Sequence, residues 1–113
     1  MIHPAEKWVI AFAWTLWIEV PLYLIALRHT KIDFAQAFTI AIAVNVFTHP
    51  ALWYIFPRFD IVGGWWTWLV IAEACVSLVE GLVIGLAIDH LQKGVIIALV
   101  VNMLSTTWGL LFL

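Results

Sequence analysis

Four long apolar stretches, residues 8–27, 36–56, 65–88 and 94–113, alternate along the chain with short gaps where the charges collect. Arg28, Lys31 and Asp33 fill the first gap, Arg58 and Asp60 the second, Asp89 and Lys93 the third. A helix crosses the hydrocarbon core of a bilayer in about 20 predominantly apolar residues, and each stretch is that long. The pattern predicts an all-α polytopic membrane protein, with four transmembrane helices joined by short loops in a single four-helix domain over residues 1–113.

A second pattern lies inside the first. Residues 8–29, WVIAFAWTLWIEVPLYLIALRH, align without a gap on residues 69–90, LVIAEACVSLVEGLVIGLAIDH. Glu19 falls on Glu80 and His29 on His90. After a four-residue difference in the connecting loop, Ile40, Ala41, Val44 and Asn45 fall on Ile97, Ala98, Val101 and Asn102, and Thr48 falls on Ser105. Apolar matches arise easily by chance, but Glu on Glu, Asn on Asn and Thr on Ser inside hydrophobic spans do not. We read a tandem duplication of a two-helix unit, with copies over about 8–56 and 69–113. An even number of helices per copy sends both copies into the membrane in the same sense, related by a pseudo-two-fold axis along the membrane normal. That axis sets helix 1 diagonally opposite helix 3, and helix 2 opposite helix 4. The copies differ at Pro21 and Pro50, which belong only to the first, and at Glu73, which belongs only to the second and aligns with Phe12.

Helical spacing gathers the polar residues of each span on one face. Thr15, Glu19, Tyr23 and Ala26 form one stripe, and Asn45, Thr48, His49 and Leu52 a second. Glu73, Ser77 and Glu80 form a third, and Asn102, Ser105, Thr106 and Gly109 a fourth. Polar groups facing acyl tails would go unsatisfied, so the four stripes are expected to face one another. A central charge costs roughly 2.5–3.5 kcal/mol on insertion scales, so three ionised glutamates would cost on the order of 8–10 kcal/mol. No Lys or Arg lies within a span to pair with them. At least one glutamate is therefore expected to hold a proton, shared with another carboxylate or stabilised by Asn, Thr and Ser.

The pathway for an ion or substrate is accordingly assigned to Glu19, Glu80, Glu73, Asn45, Asn102, Thr48, Ser105 and His49. Structural roles stand beside this reading. The amides and hydroxyls can be interhelical glue, worth about 0.6 kcal/mol per bond and up to about 1.7. His49 precedes Pro50, whose missing N–H leaves the Val46 carbonyl without its donor, so His49 can serve that carbonyl or a glutamate instead of a ligand. His29 and His90 mark the interfacial ends of spans. Gly81, Gly85 and Gly94 read as close-packing positions, and the lone Cys75 as a small apolar side chain. An intramembrane carboxylate, in contrast, is a functional candidate by default.

Composition narrows the partners. With 65% hydrophobic and 11% charged residues, the chain's main partner is the lipid bilayer. The net charge of −2 and the lack of a basic patch exclude nucleic acid. A bundle this small is compatible with a homo-oligomer. No small-x-small cleavage site ends the first apolar run, so that run is expected to stay as a span. Trp8, Trp53, Tyr54, Phe56, Phe59, Trp65, Trp66 and Trp68 gather at the N-terminal face as an interfacial aromatic belt. Arg28, Lys31 and Lys93 barely outweigh Lys7, Arg58 and the amino terminus, but with the aromatic belt on the opposite face the loops at 28–35 and 89–93 are expected on the cytoplasmic side, of the inner membrane if the source is prokaryotic.

Three function classes fit. The leading one is a transporter or channel-like protein that moves a proton, cation or small cationic solute past paired glutamates. In size, span number and a glutamate in helix 1, the chain resembles the small multidrug-resistance transporters, which implies transport; the duplicated Glu/Asn pattern departs from theirs. An intramembrane enzyme acting on a lipid-like substrate through Glu, His and Asn, with or without a metal, is the second. A non-catalytic subunit or assembly factor binding a partner or pigment through its Trp-rich face is the third. The sequence names no cofactor or metal.

Overall fold

A computed structural model of the chain describes residues 4–54 and 64–112, with side chains for 9–51, 64 and 66–112. Four helices account for nearly all of them: α1 (Pro4–Leu27), α2 (Phe34–Tyr54), α3 (Gly64–Ala87) and α4 (Leu91–Phe112). The 24 residues of α1 or α3 rise about 36 Å at 1.5 Å per residue, more than the roughly 30 Å of a hydrocarbon core. All four helices are long and apolar enough to span a membrane. Pro21 and Pro50 lie inside continuous α1 and α2. Phe56 and Leu113, expected as the last residues of spans two and four, and the aromatic belt's Phe59 fall outside the described residues, as do the side chains of Trp8, Trp53, Tyr54 and Trp65.

The helix ends differ from the apolar pattern where local capping decides them. α2 begins at Phe34, two residues before the apolar stretch, because Asp33 and Gln36 close a capping box. Gln36 N–H donates to Asp33 Oδ1 (2.8 Å) and Asp33 N–H to Gln36 Oε1 (3.0 Å). α3 ends in a Schellman arrangement: Asp89 adopts the left-handed conformation at φ 62°, and His90 N–H returns to the Gly85 carbonyl at 2.8 Å. His90 then caps α4 by accepting the Lys93 N–H on Nδ1 at 3.1 Å. These short-range bonds extend α4 back to Leu91, three residues before the expected start at Gly94.

Polarity runs from inside to outside, the reverse of a soluble bundle. Trp17, Phe47 and Leu86 are 72–75% exposed, while Glu80 and Asn45 are 0% and 1% exposed. With water outside, this distribution would waste both the apolar and the polar side chains. With hydrocarbon outside, it satisfies both. The chain is a small four-span integral membrane protein.

Among the described residues the helices form a ring in which α1 packs on α2 and α4, and α3 on the same two, leaving α1 diagonal to α3 and α2 to α4. The broadest contact joins α3 to α4. Its cause is a set of glycines: a Cβ at Gly81 would lie 2.5 Å from the Val95 Cα, one at Gly85 2.7 Å from the Leu91 Cα, and one at Gly94 would run into the backbone of Gly85. Lipid supplies no hydrophobic drive between helices, so backbone approach of this kind carries the association. Val20, Leu24 and Ala37, the residues of α1 and α2 that align with these glycines in sequence, are larger.

Gly94→Val is expected to force α3 and α4 apart at a cost of about 1–3 kcal/mol, read as a lower unfolding temperature in detergent. Ala43→Val, on an exposed face of α2, should leave the transition where it is.

Candidate functional site

All eight residues assigned to the pathway line one cavity of about 200 Å³ at the centre of the ring. Its inner end is built from all four helices. Glu80 is fully buried and takes three hydrogen bonds from three helices. Tyr23 Oη donates to Oε1 at 2.5 Å, Asn102 Nδ2 to Oε1 at 3.1 Å, and Thr48 Oγ1 to Oε2 at 2.6 Å. α1, α2 and α4 each send one donor to this one group on α3. Thr48 Oγ1 also lies 2.8 Å from the Val44 carbonyl. A hydroxyl has one proton, so when Thr48 gives it to Val44, the Glu80–Thr48 contact needs a proton on Glu80.

Glu19 is 4% exposed and is held differently. Ser105 and Asn45 are the hydroxyl and amide beside it, and Asn45 Nδ2 donates to the Ala41 carbonyl at 2.8 Å. Glu19 Oε1 is buried with no hydrogen-bond partner. Asn102 makes the matching bond to the Ala98 carbonyl, also at 2.8 Å, and additionally reaches Glu80. An unsatisfied buried acceptor costs about 1–3 kcal/mol, and more if charged.

Glu73 and Thr106 face each other nearer the N-terminal face. His49 lies at the same end of the cavity. Its Nε2 is 3.4 Å from Thr15 Oγ1, and its ring sits 4.9 Å from that of Phe12. Because Thr15 Oγ1 gives its proton to the Ala11 carbonyl at 2.9 Å, this contact needs the His49 proton on Nε2. Thr15 and Tyr23 belong to the helix 1 stripe, but the sequence alone did not mark them for the site; their i±4 spacing from Glu19 was the available signal. Ser77, on the helix 3 stripe, is buried outside the cavity lining.

The cavity is one-sided. Leu69, Gly109 and Leu110 line it towards the face that holds the N-terminus. Past the glutamates in the other direction lies packed apolar core, with Ala41, Ile84 and Ala98 fully buried and Leu27 and Ile88 beyond them. Among the described residues, no group of three or more His, Cys, Asp or Glu side chains is placed to hold a metal ion. No family model, curated protein or solved structure matches the chain.

Thr48→Val removes one donor from Glu80 at constant shape. It is expected to lower stability by about 1–2 kcal/mol, near the upper limit for an interhelical bond in a membrane. Thr107→Val removes only a bond to its own helix's Met103 carbonyl on an exposed face and should cost little. Parallel thermal unfolding of the two variants checks the difference.

Proposed function

We propose that the chain is a small transport protein in which a proton or small cation enters the cavity from the N-terminal face and is taken up at the Glu19/Glu80 pair. The observation that carries this reading is the cavity's acidic, acceptor-rich lining. Three glutamates line it, no Lys or Arg does, and one carboxylate oxygen at its inner end has no donor. A cation is the ligand that such a lining stabilises most, in a medium where an uncompensated carboxylate is expensive. The apolar core beyond the pair would have to separate for the ligand to leave on the far side, as alternating access requires.

The tandem duplication belongs to the same proposal. Glu80 is served by Asn102 of its own unit and Thr48 of the other. Glu19 sits beside Asn45 of its own unit and Ser105 of the other. Exchanging the units maps one set of neighbours onto the other, as a pseudo-two-fold axis along the membrane normal predicts. The glycine-tight α3–α4 hairpin and the proline-bearing α1–α2 pair would then be the rigid and the moving half. The loops at 28–35 and 89–93 face the cytoplasm in this reading.

The closed far side also suits a second reading, an intramembrane enzyme whose pocket opens one way only, with Glu73 and His49 near the entrance as acid and base.

Cation and proton flux into proteoliposomes separates the two. Glu19→Gln and Glu80→Gln are each expected to reduce flux at least tenfold at equal insertion, while the packing change Gly94→Val is read separately by stability. Unchanged flux in both glutamine variants would overturn the transport reading.

A further inference from the structure

The two glutamates are aligned in sequence but not in bonding: the Asn102 amide reaches Glu80 while Asn45 bonds its own helix, and Tyr23 adds a donor that has no counterpart at Glu19. Tyr23 supplies the third donor of Glu80 across the ring diagonal. On the alignment of 8–29 with 69–90, the position equivalent to Tyr23 is Ile84. Both side chains are fully buried in the same core. An isoleucine donates nothing, so the mirror-image bond to Glu19 is missing, and Glu19 Oε1 is the carboxylate oxygen left without a partner.

We propose that Tyr23 divides the labour of the pair: Glu80 is a fixed anchor saturated by the protein, and Glu19 Oε1 is the atom that binds the cavity's ligand, a small ammonium-type cation whose charge is carried on N–H donors. This names the ligand and the working residue of the transport site above and rests on that reading for the ligand's path, not for its binding. A buried acceptor lacking a donor is satisfied by a donor. The other acceptors that line the cavity, the Glu73 carboxylate on α3 and the Thr15 hydroxyl one turn from Glu19 on α1, ask for further N–H groups on the same ligand. Leu69, Val76 and Leu110 give the rest of the cavity apolar walls, suited to a short alkyl group. About 200 Å³ exceeds the roughly 30 Å³ that one water occupies in the liquid several-fold, so a ligand of a few heavy atoms fits. The three acidic side chains supply the compensating charge.

Labelling of the full chain in membranes with diisopropylcarbodiimide tests this without requiring transport. A protonated carboxyl adds across a C=N bond of the reagent: its oxygen bonds the central carbon, its proton passes to nitrogen, and acyl migration leaves a stable N-acylurea that peptide mass spectrometry locates. Glu19 is expected to label at least tenfold faster than Glu80. Methylammonium should slow Glu19 labelling several-fold at concentrations where sodium at equal ionic strength does not. Tyr23→Phe should bring Glu80 labelling up to within a few-fold of Glu19. The paired exchange Tyr23→Ile with Ile84→Tyr, which conserves core composition, should reverse the preference; should the exchange not fold, Tyr23→Phe alone decides. Equal labelling of the two glutamates in the parent, or an unchanged ratio in Tyr23→Phe, overturns the division of labour. A rise in Glu19 labelling on acidification without methylammonium protection overturns the ammonium ligand in favour of the proton. Loss of the transport reading would show instead as the parent failing to conduct while this labelling pattern persists.

Discussion

A carboxyl group at hydrocarbon depth has to be satisfied from within the protein, because neither lipid nor an ion-pair partner is there to do it. This constraint organises the bundle. Glu80 draws one donor from each of the other three helices, so its side chain fixes the mutual rotation of all four. A polar stripe on each helix must turn inward to meet it, and the apolar remainder of each helix is thereby turned to the lipid. The inside-out distribution of polarity is thus a consequence of where the acids lie.

Packing provides what hydrogen bonds do not. Gly81, Gly85 and Gly94 let the α3 and α4 backbones meet, and dispersion over that contact holds the hairpin without help from water. The first hairpin has larger residues at the aligned positions and a proline within each helix. The inner carboxylates are therefore mounted on unlike supports, Glu80 on the close-packed hairpin and Glu19 on the other. Close backbone packing and full hydrogen bonding coincide at Glu80, while larger residues between the helices and an unsatisfied oxygen coincide at Glu19.

The cavity's geometry follows from the order of residues along each helix. Acids, amides and hydroxyls occupy the half of the bundle towards the N-terminal face, and alanine, isoleucine and leucine fill the half towards the loops at 28–35 and 89–93. Water or a ligand can be stabilised in the first half only. Tyr23 stands at the boundary, with its ring in the apolar core and its hydroxyl on Glu80 at the inner end of the cavity.

The four helices, their membrane setting and eight of the polar residues that line the cavity were legible in the chain, whereas Thr15 and the apolar lining residues were not marked. An apolar run of about 20 residues has few other folded fates, and a 3.6-residue period sorts polar side chains onto one face without tertiary information. Helix ends were less legible, since the Asp33–Gln36 and Gly85–His90 bonds that set them depend on a few local groups and not on hydropathy. What only the tertiary structure decided was the inequality of Glu19 and Glu80. In sequence they are the same residue in the same place of two aligned segments. The donors that distinguish them come from other helices, Tyr23 across the diagonal and Thr48 from a neighbour. Periodicity states which side chains share a face of one helix, but a hydrogen bond between helices depends on their relative rotation and depth, which packing alone sets.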